Sequence, residues 1–234
     1  PPAMSRRQRQ MCIRDSYYTW KIYNSKKIEL YDCILLGAAA AFGILSKYLF
    51  IYLLVAIDLL FAYLIFFKKS KKFDFKYLVS LEVFFVILIP HIIWLFNNDF
   101  ITIKYGFARA GLDEGQIINH LKYPLIFTLK QIGILIPFLI LVWLLIKKIP
   151  KKLNLKDEKL LFLIFINLVP IILVFMTALI TGSKIRTMWM TPFYLFFGTL
   201  FIYLLKTQIN IKKLNSFLIG FIFLFLLSPI LYGY

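Results

Sequence analysis

Long apolar runs alternate with short polar gaps along this chain, and lysine clusters occupy every second gap. About 20 apolar residues in a helix cross the ~30 Å hydrocarbon core of a bilayer. Irregular backbone and open sheet edges do not survive in that phase, because their N–H and C=O groups would lack partners. The pattern therefore predicts an all-α fold, a polytopic transmembrane helix bundle of about seven spans. A composition that is 61% hydrophobic agrees, since soluble domains are about half apolar.

The runs cover residues 30–45, 49–67, 77–96, 124–146, 160–180 and 190–205, with a last one beginning near 216. From residue 17 onward, one set of alternate gaps carries 17 basic residues, from Lys21 to Lys213. The opposite set carries six: Lys47, Lys104, Arg109, Lys122, Lys184 and Arg186. The positive-inside rule makes the lysine-rich side cytoplasmic. The outer side then receives the Lys47 turn, a long loop at 97–123 and a short loop at 181–189. His91, Trp94, Asp99, Trp189 and Tyr194 fall at or near that side. The cytoplasmic side is almost pure lysine, which anchoring to lipid head groups explains. Function is therefore expected on the outer face of a plasma (bacterial inner) membrane.

Several classes drop out. The net charge of +17 could suggest nucleic acid, but the cations sit at the ends of apolar runs and form no single patch. Anionic membrane lipids are the partner that this distribution fits. Cys12 and Cys33 give no disulfide framework, and with only His91 and His120 no metal site is expected. There is no Walker loop and no Gly-rich dinucleotide fingerprint, so no cofactor is expected. Residues 1–16, PPAMSRRQRQMCIRDS, read as translated sequencing adapter or else as a disordered basic tail. They are set apart from a partial transmembrane domain at 17–234.

The charges off the cytoplasmic side carry the chemistry. Lys47 stands between the first two runs, where an ammonium either holds a phosphate as a point charge or snorkels. Lys184 and Arg186 share one short loop with Trp189. They fit a phosphate or pyrophosphate contact, with an interfacial anchor as the plainer alternative. Lys130 lies ~9 Å into the fourth run at 1.5 Å per residue. Asp58 lies near the middle of the second, and one of its possible partners is Lys130. Glu82 is expected to make a structural ion pair with the cytoplasmic lysines. Intramembrane charges of this kind also suit a permease or lipid flippase, the alternative reading. The outer loop adds Asp113, Glu114 and His120. Apolar spacing at 116–123 predicts a short helix on the membrane surface.

Three motifs in order resemble family 39 glycosyltransferases, polytopic GT-C enzymes related to protein O-mannosyltransferases. They are Gly43-Ile44-Leu45-Ser46-Lys47-Tyr48, then Pro90-His91-Ile92-Ile93-Trp94 with Asn98-Asp99-Phe100, then Lys184 to Tyr194 with Trp189 and Pro192. The resemblance implies transfer of a sugar from a polyprenyl-phosphate donor to a lipid, glycan or protein acceptor on the extracytoplasmic side. It assigns lipid-phosphate or substrate contact to Lys47, Lys184, Arg186, Trp189, Tyr194, His91 and Asp99. The family's catalytic aspartate lies in a first outer loop that has no counterpart in these residues. The expectation is thus a fragment that is inactive alone.

Sidedness is directly measurable. In a variant freed of Cys12 and Cys33, a thiol at Arg186→Cys should react with a membrane-impermeant maleimide added outside intact cells. A thiol at Lys71→Cys should react only after permeabilisation. The reverse pattern would invert the topology.

Overall fold

Each long apolar run becomes helix, because only intra-segment hydrogen bonds satisfy a backbone in hydrocarbon. The computed structural model describes residues 2–25, 27–111, 117–146, 157–206 and 208–232. Asp113, Glu114, Gln116 and the lysines at 147–156 lie outside the described residues. Among those described, the helices are α1 Pro2–Asn24, α2 Leu30–Ser46, α3 Ile51–Ala62, α4 Lys76–Asn97 and α5 Ile101–Arg109. α6 Asn119–Leu145, α7 Glu158–Thr181, α8 Phe197–Leu205 and α9 Leu214–Tyr232 follow. A short 3-10 turn, Tyr48–Phe50, and a π-helical turn, Tyr63–Phe67, extend α3 at its two ends.

Among the described residues, four stretches are long and apolar enough to cross a membrane: Tyr48–Phe67, Lys76–Asn97, Asn119–Leu145 and Glu158–Thr181. Leu30–Ser46 and Trp189–Leu205 are shorter apolar helices. No strand occurs among the described residues. The fold is an all-α polytopic bundle.

The two ends of the bundle keep the segments that the alternation groups together. On the lysine-rich end, Lys71 Nζ donates to Ser25 O at 3.1 Å and Lys76 Nζ to Ile28 O at 2.9 Å. Lys21 pairs with Asp32 at 2.8 Å, and Lys68 with Glu158 at 3.5 Å. Tyr203 donates to Asp157 Oδ2 at 2.6 Å, and Lys213 Nζ to Ile146 O at 3.0 Å. On the other end, Tyr48 meets His91 and Thr102, and Lys184 N–H meets Ala110 O. Consecutive spans thus run in opposite senses.

α7 occupies the centre. Leu160, Leu161, Phe162, Ile166, Val174 and Ala178 are buried against α3, α6 and α8. A helix apolar on all sides is what a bundle interior selects. α2 lies on α4 through Gly37, where a Cβ would sit 2.2 Å from the carbonyl oxygen of Ser80. Small residues at such crossings let backbones approach within van der Waals range.

Several sequence expectations need correction. Asp58 and Lys130 form no ion pair; both are exposed on the outside of the bundle. Glu82 is likewise exposed and makes none of the ion pairs found among the described residues. Each lies on a helix face turned away from the neighbours that would have supplied a partner. From Asn119 onward, the stretch expected to form a separate surface helix is instead the start of α6, which runs through Pro124 into the span. The short outer helix is α5, one segment earlier. In the structure Pro2 to Ser16 form the first part of α1, which packs along α2. Cys12, Asp15, Ser16, Thr19, Ile22 and Tyr23 form its buried stripe at helical spacing. The side-chain oxygens of Asp15, Ser16 and Thr19 lack hydrogen-bond partners there, which is a costly way to bury polar groups.

The α2–α4 crossing gives a stability test. Gly37→Ala forces a methyl into the Ser80 carbonyl and should cost about 1–3 kcal/mol. The same change at Gly133, whose Cβ would meet nothing within 4 Å, should cost nothing. Thermal unfolding of the two variants in detergent separates them.

Candidate functional site

The site begins where α2 stops. Ser46 Oγ donates to Gly43 O at 2.7 Å, and Lys47 N–H donates to the same carbonyl at 3.1 Å. Lys47 itself is extended, with φ −167° and ψ 123°. Its carbonyl then accepts from Phe50 N–H at 2.9 Å and starts the next helical turn. One non-helical residue therefore reverses the chain, and that residue carries an ammonium.

Lys47 lines a narrow cleft with Ser46, Leu49, Phe50, Trp189, Pro192 and Phe193, closed on one side by Cys12. The enclosed space is about 10 Å³, the room of one water. It cannot engulf a sugar phosphate, so recognition happens at its mouth. Lys47 is half-buried, and burial pulls its pKa below the usual lysine value. The ion pairs among the described residues, Lys21 with Glu29 and Asp32 and Lys68 with Glu158, all lie at the other end of the bundle. A half-buried ammonium with no carboxylate partner among the described residues favours an incoming anion.

The wall opposite Lys47 comes from a loop built after α7. Gly182 ends α7 in the left-handed region, at φ +65°, and a Cβ there would meet the His120 ring at 3.2 Å. His120 Nδ1 lies 3.0 Å from Leu179 O. Lys184 N–H donates to Ala110 O at 2.7 Å. These contacts hold Ala110 and His120, from the outer loop, against the end of α7 and the segment that follows it. Arg186 then precedes the 3-10 run Thr187–Tyr194, its carbonyl accepting from Trp189 N–H at 3.0 Å. That run carries Trp189, Pro192 and Phe193 to the cleft.

The structure thus brings Lys47 and Trp189 together. Tyr48, the residue after Lys47, ties in His91: its hydroxyl is 2.8 Å from His91 Nε2 and 2.8 Å from Thr102 Oγ1. The His91 ring stacks on Trp94, with centroids 5.8 Å apart. The Tyr48 hydroxyl thereby braces the Lys47 turn against α4 at His91 and α5 at Thr102. Lys184 and Arg186 are exposed on the adjoining loop and do not line the cleft. Asp99 is exposed in the turn between α4 and α5, at φ 49°, and does not line it either. Tyr194 points elsewhere; its hydroxyl donates to Gln131 Oε1 on α6.

Sequence reasoning passed over Tyr48, Thr102, Phe193 and Gln131. Gln131 had a signal as a polar residue within an apolar run; in the structure it is 5% exposed and its Nε2 has no hydrogen-bond partner among the described residues. Phe193 and Thr102 had none, because their roles arise only from packing. Among the described residues, no cluster of three His, Cys, Asp or Glu could hold a metal ion.

Burial of Lys47 has a sign. Its folded pKa lies below its unfolded value near 10.4. Between those values the unfolded chain binds more protons, so this residue's contribution to stability rises with pH there. Lys47→Met should raise stability at neutral pH, and the gain should shrink as pH approaches 10. Denaturation of both proteins across that range is the check.

Residues 12–94 match the model of a family described as dolichyl-phosphate-mannose-protein mannosyltransferase. That stretch includes α2, α3 and most of α4, with Lys47, Tyr48 and His91, and it ends before Asp99, Lys184, Arg186, Trp189 and Tyr194. No curated protein and no solved structure matches the chain. The chain is a multi-pass membrane protein, similar to membrane glycosyltransferases over the matched stretch.

Proposed function

We propose that this chain is part of an integral-membrane glycosyltransferase that takes a sugar from a polyprenyl-phosphate donor on the extracytoplasmic side. The acceptor would be a lipid, glycan or protein hydroxyl. One observation supports this reading above others. Lys47 lies inside the family-matched stretch and Trp189 far outside it, yet they face the same cleft.

In the proposed reaction the bond between the anomeric carbon and the phosphate oxygen breaks, and its electron pair leaves with the phosphate. The acceptor oxygen bonds to the anomeric carbon, and its proton passes to a base. Negative charge builds on the departing phosphate. A fixed cation in a poorly solvated setting stabilises that charge without reorganising at the moment of reaction. Lys47 fits that role. Trp189 and Phe193 would pack against the first isoprene unit or the sugar face. Lys184 and Arg186, on the exposed rim, would draw the anionic head group in. His91 holds the Lys47 turn through Tyr48. Among the described residues, Asp99 does not line the cleft, so no base is assigned to it.

The permease or flippase reading rested on three intramembrane charges. Asp58, Glu82 and Lys130, which suggested it, are all exposed on the outside of the bundle rather than lining a shared path.

Binding of polyprenyl phosphate by the chain in phosphatidylcholine nanodiscs tests the proposal. Lys47→Gln should weaken it about tenfold, the loss of one charge-assisted contact. Trp189→Ala should weaken it less, and Lys122→Gln should leave it unchanged. Equal affinity in the Lys47→Gln protein would remove the cleft from donor recognition.

A further inference from the structure

We infer that the lysine-rich end of the bundle holds a discrete binding site for the phosphate head group of an anionic phospholipid. Lys27, Ile28, Lys71, Lys72, Phe73, Asp74, Phe75 and Tyr77 line a groove of about 380 Å³, a volume in the range of small-ligand pockets. It lies at the opposite end of α2 from the Lys47 cleft and is independent of the proposed transfer reaction.

Position fixes the level of the groove in the membrane. Its main wall, residues 71–77, connects the span Tyr48–Phe67 to the span Lys76–Asn97. A segment between two span ends lies at the head-group layer. Aromatic side chains flank it: Phe67 is 79% exposed, Phe75 77% and Phe73 52%. Exposed rings at that depth pack among acyl chains just below the phosphates.

Charge selects the ligand. Three lysines and one aspartate line the groove. Asp74 Oδ1 accepts from Lys76 N–H at 3.0 Å, capping the first turn of α4. Lys71 Nζ uses one hydrogen on Ser25 O and lies 5.8 Å from the centre of the Tyr23 ring. An ammonium has three donors, so Lys71 keeps capacity for a phosphate oxygen. Lys27 and Lys72 are exposed and take part in none of the ion pairs among the described residues. The loop between the spans is also ordered by its own hydrogen bonds. Lys68 N–H donates to Tyr63 O at 2.9 Å, Ser70 N–H donates to Leu64 O at 3.1 Å, and Lys69 turns the chain at φ 52°. The site therefore differs from a diffuse basic surface: its cations are held around one concavity, with apolar rings beside it. Basic pockets of this kind at the head-group layer take anionic lipids.

The test uses the full chain in phosphatidylcholine vesicles with spin-labelled phosphatidylglycerol, reading the motionally restricted fraction. Lys27→Gln with Lys72→Gln should lower the relative association constant about fivefold for each lysine removed. Lys71 stays in place because it also holds Ser25. Lys159→Gln with Lys212→Gln removes the same charge from exposed positions on the same side, outside the groove, and should have little effect. Equal losses in the two double variants would reduce the site to general surface charge and overturn the inference. Displacement of the labelled lipid by millimolar glycerophosphate would also overturn it, showing a soluble phosphate site instead.

Discussion

A bilayer interior leaves a backbone no partner but itself, and the rest of this structure follows from that constraint. Every long apolar run must close its hydrogen bonds within a helix. Irregular backbone is pushed to the two faces, and chemistry goes with it. The turn at Lys47 shows the economy of the arrangement. Ser46 and Lys47 both donate to Gly43 O, the Lys47 carbonyl accepts from Phe50, and a single extended residue reverses the chain. A cation at such a point is held by backbone geometry rather than by a carboxylate, which leaves its charge available.

The two faces use their cations differently. On the lysine-rich face, several ammoniums also hold structure: Lys21 pairs with Asp32, Lys68 with Glu158, and Lys71 and Lys76 donate to the carbonyls of Ser25 and Ile28. These contacts tie span ends together. On the other face the ties are neutral, through Tyr48, Thr102, His91, His120 and backbone amides. Lys47, Lys184 and Arg186 make none of the ion pairs found among the described residues. A fold that joins its outer loops without using its few outer cations keeps them available for an anionic ligand.

Much of the architecture was legible because membrane helices announce themselves by length and apolarity. The runs at 49–67, 77–96 and 160–180 became spans within a few residues of where the sequence puts them. Where the reading failed, the cause was orientation. Asp58, Glu82 and Lys130 can be placed along their helices from sequence, but position along a helix does not say which way its face turns. Apolar spacing before Pro124 suggested a separate surface helix, whereas from Asn119 onward the chain belongs to α6 and continues through Pro124 into the span. Within the site, Lys47 and Trp189 were visible as odd residues on a sparsely charged face. Asp99, grouped with them by motif, is exposed and apart from the cleft.

The sequence alone determined that this chain is a helical membrane bundle and which gaps share a face, because hydropathy and lysine placement are local, one-dimensional properties. The tertiary structure decided that Trp189 closes on Lys47, that His91 braces the turn through Tyr48, and that Lys184 and Arg186 stay on the rim. Those outcomes depend on how helices rotate and cross, which is set by packing between residues far apart in the chain.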